Sequence, residues 1–148
     1  MKLEELMVDT KSAWVEYPGA PGLEIQVNNL SRRELLDLRK RCTINKFDRK
    51  TRTMEEEVDD DKFISEFTTA TLKGWKGFKL KYLEDLILVD LKTNDPDSLL
   101  DFTTENAELL VTNSTEFDNW LNEVVFDLAN FRGGAMRRAV GKTREVAA

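Results

Sequence analysis

Phe117, Trp120, Leu121, Val124, Val125, Leu128 and Phe131 fall at i, i+3, i+4, i+7, i+8, i+11 and i+14. With 3.6 residues per turn, these positions make one continuous apolar stripe along about four turns of helix, and such a stripe needs another element to cover it. A chain of 148 residues is the size of a single domain, so the cover is expected from the chain's own core. Most of the stripe should therefore be internal. Any partner surface is then expected from residues left near helix ends and at the turn around Trp75.

The remaining chain offers several elements to do the covering. Ala13 to Tyr17 and Leu23 to Val27 alternate with period two around Pro18-Gly19-Ala20-Pro21-Gly22, which predicts a hairpin with Trp14 on its core face. Leu30-Ser31-Arg32-Arg33-Glu34-Leu35 predicts a helix over 31–41: Ser31 caps it, Glu34 reaches back to the cap, and Leu30 staples onto Leu35. Arg39, Lys40 and Arg41 suit its carbonyl end. Residues 43–58 read as a second hairpin whose basic first arm faces an acidic second arm. Residues 60–73 and 80–91 follow as helices, separated by Gly74-Trp75-Lys76-Gly77-Phe78, which reads as a sharp reversal that turns a bulky ring inward. A short helix from Thr103 to Val111 precedes the striped one.

These elements add up to an α+β fold that is predominantly α-helical, with N-terminal β-hairpins followed by a small helical bundle. One globular domain is expected over 1–131, hairpins and the first helix in 10–58 and the helical part in 59–131. Residues 132–148 are expected to be a flexible basic tail.

Composition narrows the chemistry. With no histidine and one cysteine, Cys42, the common zinc sites and cysteine-protease arrangements lose essential members, and neutral-pH proton transfer loses its usual side chain. No cofactor or metal is expected. The run from Glu55 to Asp61 lacks the alternating oxygen ligands and central glycine of a calcium loop, and its carboxylates are better placed to cap the helix that follows. Asp59, Asp60 and Asp61 are adjacent and fan around a helix start, which argues against an enzyme built on them. No apolar run approaches the ~18 residues needed to cross a bilayer, and the N-terminus has no apolar signal core, so the chain is expected to stay where it is made.

Charge divides the chain unevenly. Residues 132–148 hold five basic side chains against one acid, leaving 17 basic and 27 acidic side chains in the first 131, a net of −10 there. Gly141-Lys142-Thr143 imitates the end of a phosphate-binding loop, but Met136 stands where its first glycine belongs, and too little chain follows to form the helix. The tail's Arg137 and Arg138 could meet an acidic partner. Without aromatic neighbours for base stacking, nucleic acid is not expected as that partner.

The residues Gly74-Trp75-Lys76-Gly77-Phe78, then 101–107 with Leu109 and Leu110, then Asn113-Ser114 with Phe117, Asp118, Trp120, Leu121 and Phe131 resemble the tail assembly chaperones of long-tailed bacteriophages. The hairpin from Phe47 to Val58 leading into Asp60-Asp61-Lys62-Phe63 fits the same pattern, so the resemblance spans about residues 10–131. It implies an assembly role without catalysis in the host cytoplasm: binding the long helical tape measure protein, keeping it soluble, helping recruit tail tube subunits, and leaving before the virion is mature. It also implies a frameshifted longer form, beginning near the glycine-broken tail, and a possible homo-oligomer; no membrane enters. The partner-binding residues expected on this reading are Trp75, Phe78, Phe117, Trp120, Phe131, Arg137 and Arg138. The competing expectation is a structural tail or head-tail connector protein, which would remain in the particle.

Overall fold

A computed structural model of the chain describes residues 1–8 and 11–132. The tail over 133–148, with Arg137, Arg138 and the loop-like Gly141-Lys142-Thr143, lies outside the described residues, as do Asp9 and Thr10.

The period-two alternation produces β1 (Ser12–Glu16) and β2 (Glu24–Asn28), antiparallel with Trp14 opposite Gln26. Ile25 and Val27 of β2 are fully buried, and Ala13 and Tyr17 turn to the same side. Trp14 takes the other face, which corrects the expectation that it belongs to the core. It is 37% exposed there, with the Lys76 ammonium 4.6 Å over its ring. Alternation allows one face per register, and the smaller Ala13 and Val15 occupy the inward positions.

The main departure from the sequence reading lies after α2 (Asp60–Thr71). Leu72 does not turn the chain back. It starts a fifth strand in chain order, β5 (Leu72–Lys76), which pairs antiparallel with β2 and makes a three-stranded sheet of order β1-β2-β5. The register slips between Gln26 and Val27, so Lys73 bulges and both Leu72 and Trp75 face the core although they stand three apart. That odd spacing hides a strand from any period-two search. The reversal comes at Gly77, whose φ of +70° brings its backbone against the Gly22 carbonyl: a Cβ there would lie 2.1 Å from that oxygen.

Between the sheet's halves run α1 (Arg32–Arg41) and a separate hairpin of β3 (Thr43–Asp48) and β4 (Thr53–Val58). The capping box forms: Glu34 N–H donates to Ser31 Oγ at 3.1 Å and Ser31 N–H to the Glu34 carboxylate at 3.4 Å. Asp59 caps α2, its carboxylate accepting from Lys62 N–H at 3.2 Å, and Asp60 and Asp61 fill the first turn. Cys42 is fully buried at the end of α1, and burial followed by the charge of Glu66 pushes its thiol up. As a thiol it is inert in the native state.

The helix expected over 80–91 is a single turn, α3 (Leu80–Leu83). Its first N–H groups are taken by the loop ahead, Leu80 by Ser98 O at 2.8 Å and Lys81 by Pro96 O at 2.9 Å. Beyond Leu83 a helix would have placed Asp85 and Asp90 towards the negative carbonyl end, where only cations help. Then come α4 (Thr104–Asn113), capped by Thr103, and α5 (Thr115–Phe126), capped by Ser114. The last helix also stops short of Phe131. The Asn29 and Asn130 side-chain amides donate to its final carbonyls, of Val125 at 2.7 Å and Val124 at 3.1 Å, and a 3-10 turn over Leu128–Phe131 follows.

Five antiparallel strands in two sheets and five α-helices are therefore present among the described residues, with about 42% helix and 22% strand. The fold is α+β but not predominantly helical, because β5 and the irregular path after Leu83 replace expected turn and helix.

Helices α2, α4 and α5 contribute Phe67, Leu110, Phe117, Leu121 and Val125 to the core shared with the buried residues of β2. At one edge Tyr17 stacks on Phe117, ring centroids 5.8 Å apart, and meets Trp120 edge-on at 4.9 Å. Burial, with the charge of Glu116 second, pushes the Tyr17 phenol up to about 12.

Two predictions follow from this packing. Gly19→Ala meets positive φ with nothing within 4 Å, whereas Gly77→Ala meets positive φ and the Gly22 carbonyl. Denaturant unfolding should show about 1 kcal/mol lost for the first and about 2 kcal/mol or more for the second. For Tyr17, the difference between wild-type and Tyr17→Phe tyrosinate absorbance titrations should show a phenol ionising near pH 12. Because the folded state holds that proton more tightly, its stabilising contribution is complete below pH 10 and fades as pH rises through about 12. Tyr17→Phe should accordingly lose less stability than wild type over that interval.

Candidate partner-binding surface

The hairpin β3–β4 leaves the body at Cys42 and returns at Asp59, whose N–H donates to Cys42 O at 2.8 Å. None of its strand residues is buried. Cross-strand pairing sets Lys46 diagonal to Glu57, and the two form an ion pair at 2.9 Å; that hydrogen bond, reinforced by the carboxylate's charge, raises the lysine's pKa. The sequence reading of a basic arm against an acidic one is met at this pair.

The opposite face is less polar. Val58, Glu56 and Met54 alternate along β4, opposite Thr43, Asn45 and Phe47 of β3. Phe47 and Met54 pair directly near the tip and are 59% and 64% exposed. An apolar pair that open to water is not explained by the core.

At the base of the same face, Val58 helps line a groove of about 310 Å³ between α1, α2 and α5. Leu35 and Arg39 supply one wall, Phe63 and Phe67 another, and Asn122 and Phe126 the third. Phe63 stacks on Phe67 with centroids 6.0 Å apart, and Phe67 meets Phe126 at 6.4 Å. Phe67 is buried, Phe63 is half-buried, and Phe126 is 41% exposed. The rim is polar: Arg39 and Asp60 carry opposite charges, and Asn122 donates to the Asp118 carboxylate at 3.1 Å. Burial pushes that carboxyl up, against the pull of the Asn122 hydrogen bond. An apolar floor, a charged rim and one exposed apolar pair on the adjoining hairpin make a surface suited to holding an amphipathic segment. Among the described residues no three His, Cys, Asp or Glu side chains gather as a metal site, and no helix is long and apolar enough to cross a membrane.

The residues singled out from sequence are placed elsewhere. Phe78 and Phe117 are fully buried and Trp75 is 8% exposed, its indole N–H donating to Leu100 O at 2.8 Å, so none of the three presents a surface. Trp75 packs with Phe78 and Phe102, while Phe117 and Trp120 pack with Tyr17. Trp120 and Phe131 are half-buried against the core, and Arg137 and Arg138 lie outside the described residues. The residues that do line the surface, Phe47, Met54, Phe63 and Phe126, left weaker signals. Phe126 lies off the i, i+3, i+4 series, and an apolar residue outside a stripe that already fills the core was its only mark. Phe47 and Met54 stand alone in charged strands. No protein-family model, curated protein or solved structure matches the chain.

Proposed function

We infer that this protein is an assembly chaperone, a tail assembly chaperone in kind, that holds a helical client without making or breaking a bond. The observation that carries this reading is the groove of Leu35, Val58, Phe63 and Phe126, with the exposed Phe47–Met54 pair farther out on the same hairpin face beyond Asn45 and Glu56. Amphipathic helices are recognised by laying their apolar side into such grooves, with anchors at helical spacing. The net charge of −10 over residues 1–131 draws a basic client by long-range attraction and keeps copies of the chaperone apart. The motif resemblance described above supplies the client's class: a tape measure protein, kept soluble until tail tube subunits close around it, with the chaperone released before the particle is complete.

Co-expression with a phage tape measure protein tests this directly. Soluble client should rise with the wild-type chain, and the Phe47→Ser/Met54→Ser variant should bind the client about tenfold or more weakly, as loss of paired apolar anchors does. The variant's thermal midpoint should hardly move, because exposed side chains contribute within about 0.5 kcal/mol to stability. Phe126→Ser should weaken binding in the same way. Unchanged client solubility with the wild-type chain, or full activity in both variants, would overturn the proposal.

A further inference from the structure

The far end of α5 carries a second feature, separate from the groove. Its first turn meets the β1–β2 turn and α3 around a cavity of about 210 Å³, walled by Tyr17, Leu23, Tyr82, Asp85, Leu86 and Glu116 among others. Tyr82 is already committed: its hydroxyl donates to Pro21 O at 2.6 Å and pins the turn. Tyr17 is not. It is 94% buried, its ring is covered by Phe117 and Trp120, and its hydroxyl makes no hydrogen bond to any described residue. The hydroxyl end is the part that feels the charge of Glu116, another wall of the cavity. Among the described residues Thr68 Oγ1 is the one buried side-chain polar atom without a hydrogen bond, so the Tyr17 hydroxyl keeps contact with solvent and is open to an incoming donor.

Two carboxylates add direction. Neither Asp85 nor Glu116 forms an ion pair with any described residue, although most lysines near α3 are engaged: Lys79 and Lys81 both turn to Asp97, at 3.8 and 3.2 Å. The lining thus includes three oxygen-bearing side chains without a hydrogen bond or ion pair among the described residues, together with the apolar side chains of Leu23 and Leu86. Its volume is below the roughly 300–1,000 Å³ of sites for whole small molecules, and fits a single side chain.

We propose that this cavity is an acceptor for one lysine side chain of a partner polypeptide, the stem lying along Leu23 and Leu86 and the ammonium donating to Tyr17, Asp85 and Glu116. A lysine ammonium has three donors that can rotate towards three separate oxygens, whereas an arginine fork is suited to one carboxylate taken edge-on. The hydroxyl oxygen of Tyr17 supplies lone pairs, and the two carboxylates supply the charge. The proposal stands on the cavity alone and does not depend on the groove or on the identity of the client.

The test is an NMR titration of the full chain, following the amides of Gly19, Ala20 and Leu23. Three probes are used: butylammonium, its neutral analogue butanol, and a capped pentapeptide with one central lysine among glycines. Butylammonium and the peptide should shift these amides saturably and butanol should not. Affinity should fall about fivefold or more in Glu116→Gln and again in Tyr17→Phe, the loss expected for one charge-assisted hydrogen bond. Tyr17→Phe keeps the ring packing, and Asp85→Asn, on an exposed carboxylate, provides a second variant whose fold is not at risk. Equal shifts with butanol, or wild-type affinity in both Glu116→Gln and Asp85→Asn, would sink the proposal. Response to butylammonium with silence from the peptide would overturn the side-chain occupant. Any of these failures leaves the groove untouched, since its variants are read by client solubility.

Discussion

Leu23, just before β2, and Ile25 and Val27 on one face of it lose all contact with water, and the rest of the structure is arranged around keeping that seam dry. Two strands flank β2 in the sheet, and α5 and α2 pack against it. Phe117, Leu121 and Val125 of the stripe are equally inaccessible. Each such side chain contributes roughly 1.5–3 kcal/mol by leaving water, an upper figure since the unfolded chain already hides part of it. The seam also closes at its end: the Asn29 amide just beyond β2 donates to Val125 O near the end of α5, tying sheet to helix where both stop. Of the stripe, Leu128 alone is mostly exposed, at 62%, and it lies past the end of α5. Phe117 is accordingly a core residue, and the surface proposed for a partner lies instead at the edges of the helices.

The clearest sequence signals were those in which a local hydrogen bond or a fixed period does the work. The Ser31–Glu34 box, the carboxylate cap ahead of α2 and the first hairpin needed only neighbours within a few residues, and they form as expected. The failures share another cause. At β5 a bulge at Lys73 changes the period, and at α5 two asparagine amides, one distant in sequence and one just beyond the helix, end the helix early. Around Leu80 a loop fifteen or more residues later occupies the helix's first donors. Each depends at least in part on a contact between residues far apart in the sequence, such as Asn29 with Val125. Trp14 is different again: the hairpin was legible, but alternation does not say which of two apolar faces turns in until the third strand arrives.

The same logic makes the protruding hairpin informative. A two-stranded hairpin is marginal on its own, and this one has neither a third strand nor a buried face. Covalent anchoring to α1 and α2, the Asp59–Cys42 hydrogen bond and the Lys46–Glu57 pair hold it in place. Its many charges discourage edge-to-edge association with other strands. Phe47 and Met54 work against that protection, and nothing in the fold needs them. Exposed apolar area on an arm that the core does not use is accounted for by an external partner more readily than by folding.

The groove and the lysine cavity sit at opposite ends of α5, marked by Phe126 and Glu116. Ten residues of helix separate them, about 15 Å along the axis and, at 100° per residue, about 80° around it. A straight helix lying in the groove would therefore not run into the cavity. It would have to bend, or a separate segment of the client would have to reach across. With both proposed docking points in use, one apolar and one for a single cation, they would read different features of a partner: the groove would take any helix with an apolar stripe, while the cavity would ask for a lysine at a set offset from it. Discrimination among helical clients, which an apolar groove alone provides poorly, would come from that second requirement.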